Sequence, residues 1–262
     1  MSTATITSGL WVEERGSGPA VLLLAGLGDP HDVWRPQLDG LSDRYRVIAP
    51  DNRGVGRTPM PADGVSIRAM AEDAAGLLRE LGVDRAHVAG FSMGGLIAQE
   101  LALAHPGAVS SLVLLSTYGR ADALLRRTIR GWSWLARTAD DPAEFLRSFS
   151  AWLFSRAAHE DGFAERWVQE ALADPHAMST EDFCAAAAAC VEHDALDRLG
   201  AIRAPTLVVA GEEDLVTPPR VARGLAERIR ARDWHCCRRT RTSPSWRSRT
   251  RSTPSSTASS RR

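Results

Sequence analysis

A chain of 262 residues with 44% hydrophobic content is long enough to bury a large core as one domain with an inserted subdomain. Met1 to Leu10 carry no basic start and no eighteen consecutive apolar residues occur anywhere, so no secretory signal or membrane span is expected and the default location is cytoplasmic. The zero net charge conceals a split, because all 32 basic residues are arginine and eight of them fall in residues 236–262, which hold no Asp or Glu.

In chain order, the first long apolar run is Val21-Leu22-Leu23-Leu24, followed by the glycine-containing Ala25-Gly26-Leu27-Gly28. Arg46-Val47-Ile48-Ala49 is the next, leading into Asp51-Asn52-Arg53-Gly54. From Ser66 to Leu81 the apolar residues Ile67, Met70, Ala74, Leu77, Leu78 and Leu81 recur at helical spacing, with Ser66 placed to cap the start and Gly82 the end. His87-Val88-Ala89 then runs into Gly90-Phe91-Ser92-Met93-Gly94-Gly95 and an apolar-rich helical segment from Leu96. A strand, a sharp turn bearing a serine and a helix form a nucleophile elbow, in which small glycines allow a strained turn that exposes the serine hydroxyl. A bare Gly-x-Ser-x-Gly also occurs by accident in about one protein in ten of this length, so the flanking pattern carries the reading. Leu112-Val113-Leu114-Leu115 and Thr206-Leu207-Val208-Val209 complete the strand-like runs. Short apolar runs alternating with amphipathic segments imply an α/β fold, a mostly parallel doubly wound sheet with active residues on loops at the strand C-terminal ends.

Residues 119–199 break this rhythm and read as several helices, holding Trp132, Trp134, Trp152, Trp167 and five of the six Phe. The expected organisation is a core part over 1–118, a helical cap over 119–199, a second core part over 200–235 and a tail over 236–262. Most of the cap aromatics are expected to pack the cap's own core, with one or two lining an apolar pocket over Ser92. The tail contains eight Ser, five Thr and eight Arg without Leu, Ile, Val, Met or Phe, a composition expected to be disordered. A nucleic-acid arm is the other reading of that arginine-rich composition, and it is not adopted. Cys184, Cys190, Cys236 and Cys237 show no metal-ligand spacing, so no metal is expected, and the catalytic reading implies no organic cofactor.

Four segments in this order, Leu24-Ala25-Gly26-Leu27-Gly28, Asp51 to Thr58, Gly90 to Gly95 and Ala204 to Asp214, make the chain resemble the α/β-hydrolase superfamily, and within it small cap-bearing esterases, enol-lactonases and cofactor-free haloperoxidases. The resemblance covers roughly residues 10 to 230. It implies a serine hydrolase of small carboxylic esters or lactones, with perhydrolysis or C–C bond hydrolysis as alternatives on similar parts. Ser92 is then the nucleophile and Asp214 the triad acid, Glu212 and Glu213 being the neighbours passed over. The Leu27 and Met93 backbone amides form the oxyanion hole. Asp51 and Arg53 are expected to organise the loop near the site. The partner implied is a small apolar or acyl-bearing substrate, without nucleic acid or membrane.

The third triad member is missing from its expected place. Of His31, His87, His105, His159, His176, His193 and His235, only His235 follows Asp214, and the Cys236-Cys237-Arg238-Arg239 behind it does not resemble the usual Gly-His-x-x-x-x-Glu-x-Pro pattern. His235 is therefore a weak candidate. The degenerate codons after Ile229, read one base out of register, permit Leu-Ala-Leu-Leu-Pro over 233–238 and a His, Asp, Asn or Tyr codon at the Arg241/Thr242 junction. Glu and Pro are permitted five and seven codons later, then Leu and Phe at helical spacing. A single lost base would thus hide a last strand, a histidine loop and a final helix. Without that histidine, a non-catalytic remnant or ligand receptor is the competing expectation.

Overall fold

Ala20–Leu24 (β3) is buried at every residue, as an apolar strand covered on both faces must be. Its side chains alternate: Leu22 and Leu24 join the larger core cluster, while Val21 and Leu23 join a smaller one around Trp34 and Leu38. The computed structural model describes residues 2–229 and 233–237. Among them an eight-stranded sheet runs β1-β2-β4-β3-β5-β6-β7-β8, where β1 is Ser2–Thr7, β2 Leu10–Arg15, β4 Arg46–Pro50, β5 Ala86–Phe91, β6 Val109–Leu115, β7 Thr206–Gly211 and β8 Asp233–Cys237. β1 and β2 pair antiparallel, as do β2 and β4, and the other neighbours are parallel.

Helices follow the strands. α1 (Arg35–Leu41) packs on the Trp34 face, while α2 (Ile67–Glu80), α3 (Met93–Ala104) and α9 (Pro219–Ile229) pack in the larger cluster. Ser66 caps α2 by accepting from the Ala69 amide at 3.1 Å, and Gly82 follows at φ +66°. Between β6 and β7 lie α4 (Ala123–Thr138), α5 (Pro142–Leu153), α6 (Arg156–Glu160), α7 (Phe163–Ala173) and α8 (Thr180–Glu192). Their aromatics pack mainly on one another, as in the edge-on Trp132–Phe149 pair with centroids 5.0 Å apart. No helix among the described residues is long and apolar enough to cross a membrane.

The last strand differs from expectation. Asp233–Cys237 pairs parallel with β7 in the frame as written, through backbone groups whose bonding does not depend on side-chain identity. Cys236 and Cys237 accordingly belong to the sheet and not to a tail. None of the five side chains is buried. Val113, Leu207 and Val209, which point to the α1 face by alternation, are half-buried and belong to neither core cluster. Residues 238–262, with the expected disorder and the shifted-frame histidine and helix, lie outside the described residues.

The insert is tied to α3 where it leaves and rejoins the sheet. Gln99 Nε2 donates to the Tyr118 carbonyl at 3.0 Å, and Tyr118 OH to the Cys190 carbonyl at 2.8 Å. Glu100 accepts from both Arg198 terminal nitrogens, at 2.8 and 2.5 Å, with His193 Nδ1 3.5 Å away and Arg68 Nε at 3.8 Å. Burial pushes the His193 pKa from 6.5 down to about 4, against the opposing pull of Glu100 and Asp194 and with help from Arg198 and Arg68. The unfolded chain therefore binds a proton that the folded chain refuses between these values, so stability falls as pH drops through that window. At about 1.4 kcal/mol per pKa unit, urea denaturation is expected to lose about 3 kcal/mol more between pH 7 and 4 in the native chain than in His193→Gln. Equal losses in the two would refute this.

Candidate active site

Ser92 sits at φ +51°, ψ −116°, a conformation that costs a non-glycine residue about 1–3 kcal/mol and persists only where its surroundings impose it. Here they do. The Ser92 amide donates to the Leu115 carbonyl at 2.9 Å, and its own carbonyl accepts from the Gly95 amide at 2.9 Å and the Thr117 hydroxyl at 2.8 Å. A Cβ on Gly90 would overlap the Gly94 carbonyl, so the strand and helix can approach this closely only with glycine at 90. The turn leaves Ser92 as the residue before α3, whose N-terminal amides carry partial positive charge.

The loop after β3 meets the elbow at two points. A Cβ on Gly94 would overlap the Leu24 and Ala25 carbonyls, and one on Gly26 would lie 3.1 Å from the Phe91 ring. Met93, directly after Ser92, and Leu27 therefore stand on two backbone segments in contact. Asn52 Nδ2 fixes the β3 loop from behind by donating to the Ala25 carbonyl at 3.2 Å. Asp51 accepts from the His31 amide at 2.7 Å and the Arg57 amide at 3.0 Å, and Arg53 is paired with Asp73, so both organise loops rather than face an open site. From the insert, Phe183 and Met178 come within 4 Å of the position a Gly28 Cβ would take, bringing α8 against the β3 loop.

Asp214 lies in the loop after β7, at the same C-terminal end of the parallel strands as Ser92, and is 3% exposed. Its Oδ1 accepts from the Val216 and Thr217 amides at 2.9 and 2.7 Å, and its Oδ2 from the Thr217 hydroxyl at 2.8 Å. Glu212 and Glu213 are exposed. Of the three neighbouring acids, Asp214 is the buried one.

The seven histidines are all among the described residues, and none of them hydrogen-bonds to Ser92. His31 lies between Asp51, 2.8 Å from Nδ1, and Glu13, 3.2 Å from Nε2. His87 contacts Ser111, His105 contacts Glu72 and His193 contacts Glu100. His159 packs by Phe154 in the insert, and His176 is exposed between α7 and α8. His235 is exposed in β8, level with Val209, Leu115 and Phe91 along one row of the sheet. Three interstrand steps of about 4.8 Å put it roughly 14 Å from Phe91, too far for a hydrogen bond to Ser92. Ser92, Met93, Leu27 and Asp214 thus all follow the C-terminal ends of parallel strands, while His235 lies in the edge strand β8. Thr117, which supports the site, lies in none of the four motif segments, and Asn52, although inside Asp51 to Thr58, is not singled out by that pattern; their roles depend on contacts between distant loops.

Residues 19–236 match the family described as alpha/beta hydrolase fold. The chain is 35% identical over 230 residues to a protein of Azorhizobium caulinodans that carries the name carbamate hydrolase RutD, covering 86% of each chain. Among solved structures it is similar to one named for the non-heme bromoperoxidase BpoC of Mycobacterium tuberculosis, with TM-score 0.79, 29% identity and coverage of 89% and 88%. It also resembles a thermophilic esterase of Thermogutta terrifontis, with TM-score 0.78, 27% identity and coverage of 93% and 92%. An eight-stranded, mostly parallel sheet, a strained serine elbow opening a helix and a match over most of the sequence lead to one conclusion: the chain belongs to the α/β-hydrolase family.

Proposed function

We propose that this protein is a serine hydrolase of small carboxylic esters or lactones in which Ser92 is acylated. The Leu27 and Met93 amides hold the developing oxyanion, and Asp214 orients an imidazole that takes the Ser92 proton. The observation that carries the reading is Ser92 itself, held at a positive φ by three hydrogen bonds at the N-terminus of α3. A serine hydroxyl needs a base, and none of the seven histidines hydrogen-bonds to Ser92, so the base is assigned to a histidine that the codon at the Arg241/Thr242 junction permits in the shifted frame. The half-buried apolar Val113, Leu207 and Val209 and the unburied β8 are in keeping with the same assignment, since the codons of the shifted frame permit an apolar strand and a helix with Leu and Phe. The helices between β6 and β7 act as the cap, with Phe183 and Met178 beside the oxyanion loop. The name of RutD adds carbamates to the carbonyl substrates worth testing, and that of BpoC, a non-heme bromoperoxidase, keeps the perhydrolysis alternative among the activities worth testing.

The chain in its written frame supports a second reading, ligand binding without turnover, because no histidine reaches Ser92. A fluorophosphonate decides between them. In a chain with one base added after the Ile229 codon, the probe is expected to modify the peptide containing Ser92 and to leave Ser92→Ala untouched. Absence of an adduct, or one on another residue, would overturn the hydrolase reading.

A further inference from the structure

The geometry points to Thr117 as a positioning residue that aims the Met93 amide into the oxyanion hole, an inference that rests on the proposed role of that amide. The Ser92 carbonyl and the Met93 N–H belong to the same planar trans peptide group and point in opposite directions. Whatever fixes the carbonyl therefore fixes the N–H. Two donors fix it: the Gly95 amide, which belongs to the first turn of α3, and the Thr117 hydroxyl at 2.8 Å, which comes from a different part of the chain 25 residues on. The Gly95 bond follows the helix wherever it goes. The Thr117 bond ties the peptide plane to the sheet.

Thr117 is itself tightly placed. It is 1% exposed and follows Ser116, which leaves β6 at φ +46° with its amide donating to the Val209 carbonyl at 2.9 Å. It also fills the space that a Cβ on Gly95 would need, since that atom would come within 2.6 Å of Thr117 Cβ and Cγ2 and 2.7 Å of Oγ1. The hydroxyl thus meets the carbonyl from a rigid, buried platform. A hydrogen bond accepted by the carbonyl also polarises the amide and strengthens its N–H as a donor, so aim and strength act in the same sense. Thr117 leads directly into Tyr118, where the insert begins to be tied to α3. The oxyanion donor is therefore set by the segment that starts the cap.

The test compares Thr117→Val, which keeps the shape and removes the donor, with Thr117→Ser, which keeps the donor, in the full chain. The protein has five methionines, so selective 15N-methionine labelling gives a spectrum simple enough to follow the Met93 amide, identified by its loss in Met93→Leu. That resonance is expected to move in Thr117→Val and to return in Thr117→Ser, while those of Met60 and Met70 stay in place. An unmoved Met93 resonance in Thr117→Val would overturn the inference. In parallel, residual hydrolysis of p-nitrophenyl acetate, which survives loss of a triad member through the oxyanion hole, is expected to fall about tenfold in kcat at constant KM for Thr117→Val and to recover in Thr117→Ser. A Met93 resonance that moves without any change in kcat would support the positioning and refute Met93 as an oxyanion donor, which separates failure of the function from failure of this inference.

Discussion

Adding one base between the codons for Ile229 and Asp233 is expected to raise kcat/KM for p-nitrophenyl acetate by a factor of about 10⁴ or more. The reason is that nucleophile, base and acid act as a unit. In the proposed triad Ser92 is held by its elbow and Asp214 by three hydrogen bonds, and the histidine is the member that carries the proton between them. The same logic fixes the outcome of Ser92→Ala in each background. Removing the serine or the base costs nearly as much as removing both, so Ser92→Ala changes the written-frame chain only a few-fold and abolishes nearly all the gain in the frame-restored chain. A steady-state comparison of the four proteins checks this. Additive effects in the two backgrounds, or a restored chain no faster than the original, would contradict it.

Gly94→Ala is expected to be the most damaging single methyl group in the molecule. Its Cβ would overlap the backbone carbonyls of Leu24 and Ala25, and neither can turn aside as a side chain would. Either the elbow lifts away from the β3 loop, separating the Met93 and Leu27 amides, or the sheet distorts. Overpacking of this kind costs about 1–3 kcal/mol and more when backbone is struck, so a loss of about 3 kcal/mol in urea denaturation is expected, together with loss of hydrolysis in the frame-restored chain. Gly131→Ala is the control. It lies exposed inside α4 with nothing within 4 Å of its Cβ position, and better helix propensity is expected to raise stability by about 1 kcal/mol. Similar responses at the two glycines would refute the close approach at Gly94.

The parts of this fold that could be read from sequence are those whose physics is local. Val21 to Leu24 and Thr206 to Val209 are apolar because both faces of a parallel strand are covered, and that shows in the residues alone. Ser66 announces the start of α2 because an N-cap is made within one turn. The β1–β2 hairpin was not legible: only Leu10 and Val12 of β2 show buried alternation, and β1 is held by its pairing with β2. β8 was not legible either, since Asp-Trp-His-Cys-Cys is no apolar strand and its form comes from the β7 backbone. In the candidate site, Ser92 is proposed from the glycines two residues to either side, and Asp214 from its place after a strand. Thr117 could not be proposed in this way, because its role arises where the β6 turn meets a helix 25 residues earlier, a contact that leaves no spacing in the sequence.

The most direct measurement is to sequence the gene through the codons for Ile229 to Arg262 and beyond. A Ser–His–Asp site whose base is hidden by a lost base predicts one additional nucleotide between the codons for Ile229 and Asp233, opening a frame with a histidine followed by glutamate at five and proline at seven. A gene that encodes the 262 residues as they stand would contradict the triad and leave ligand binding without turnover as the function of this fold.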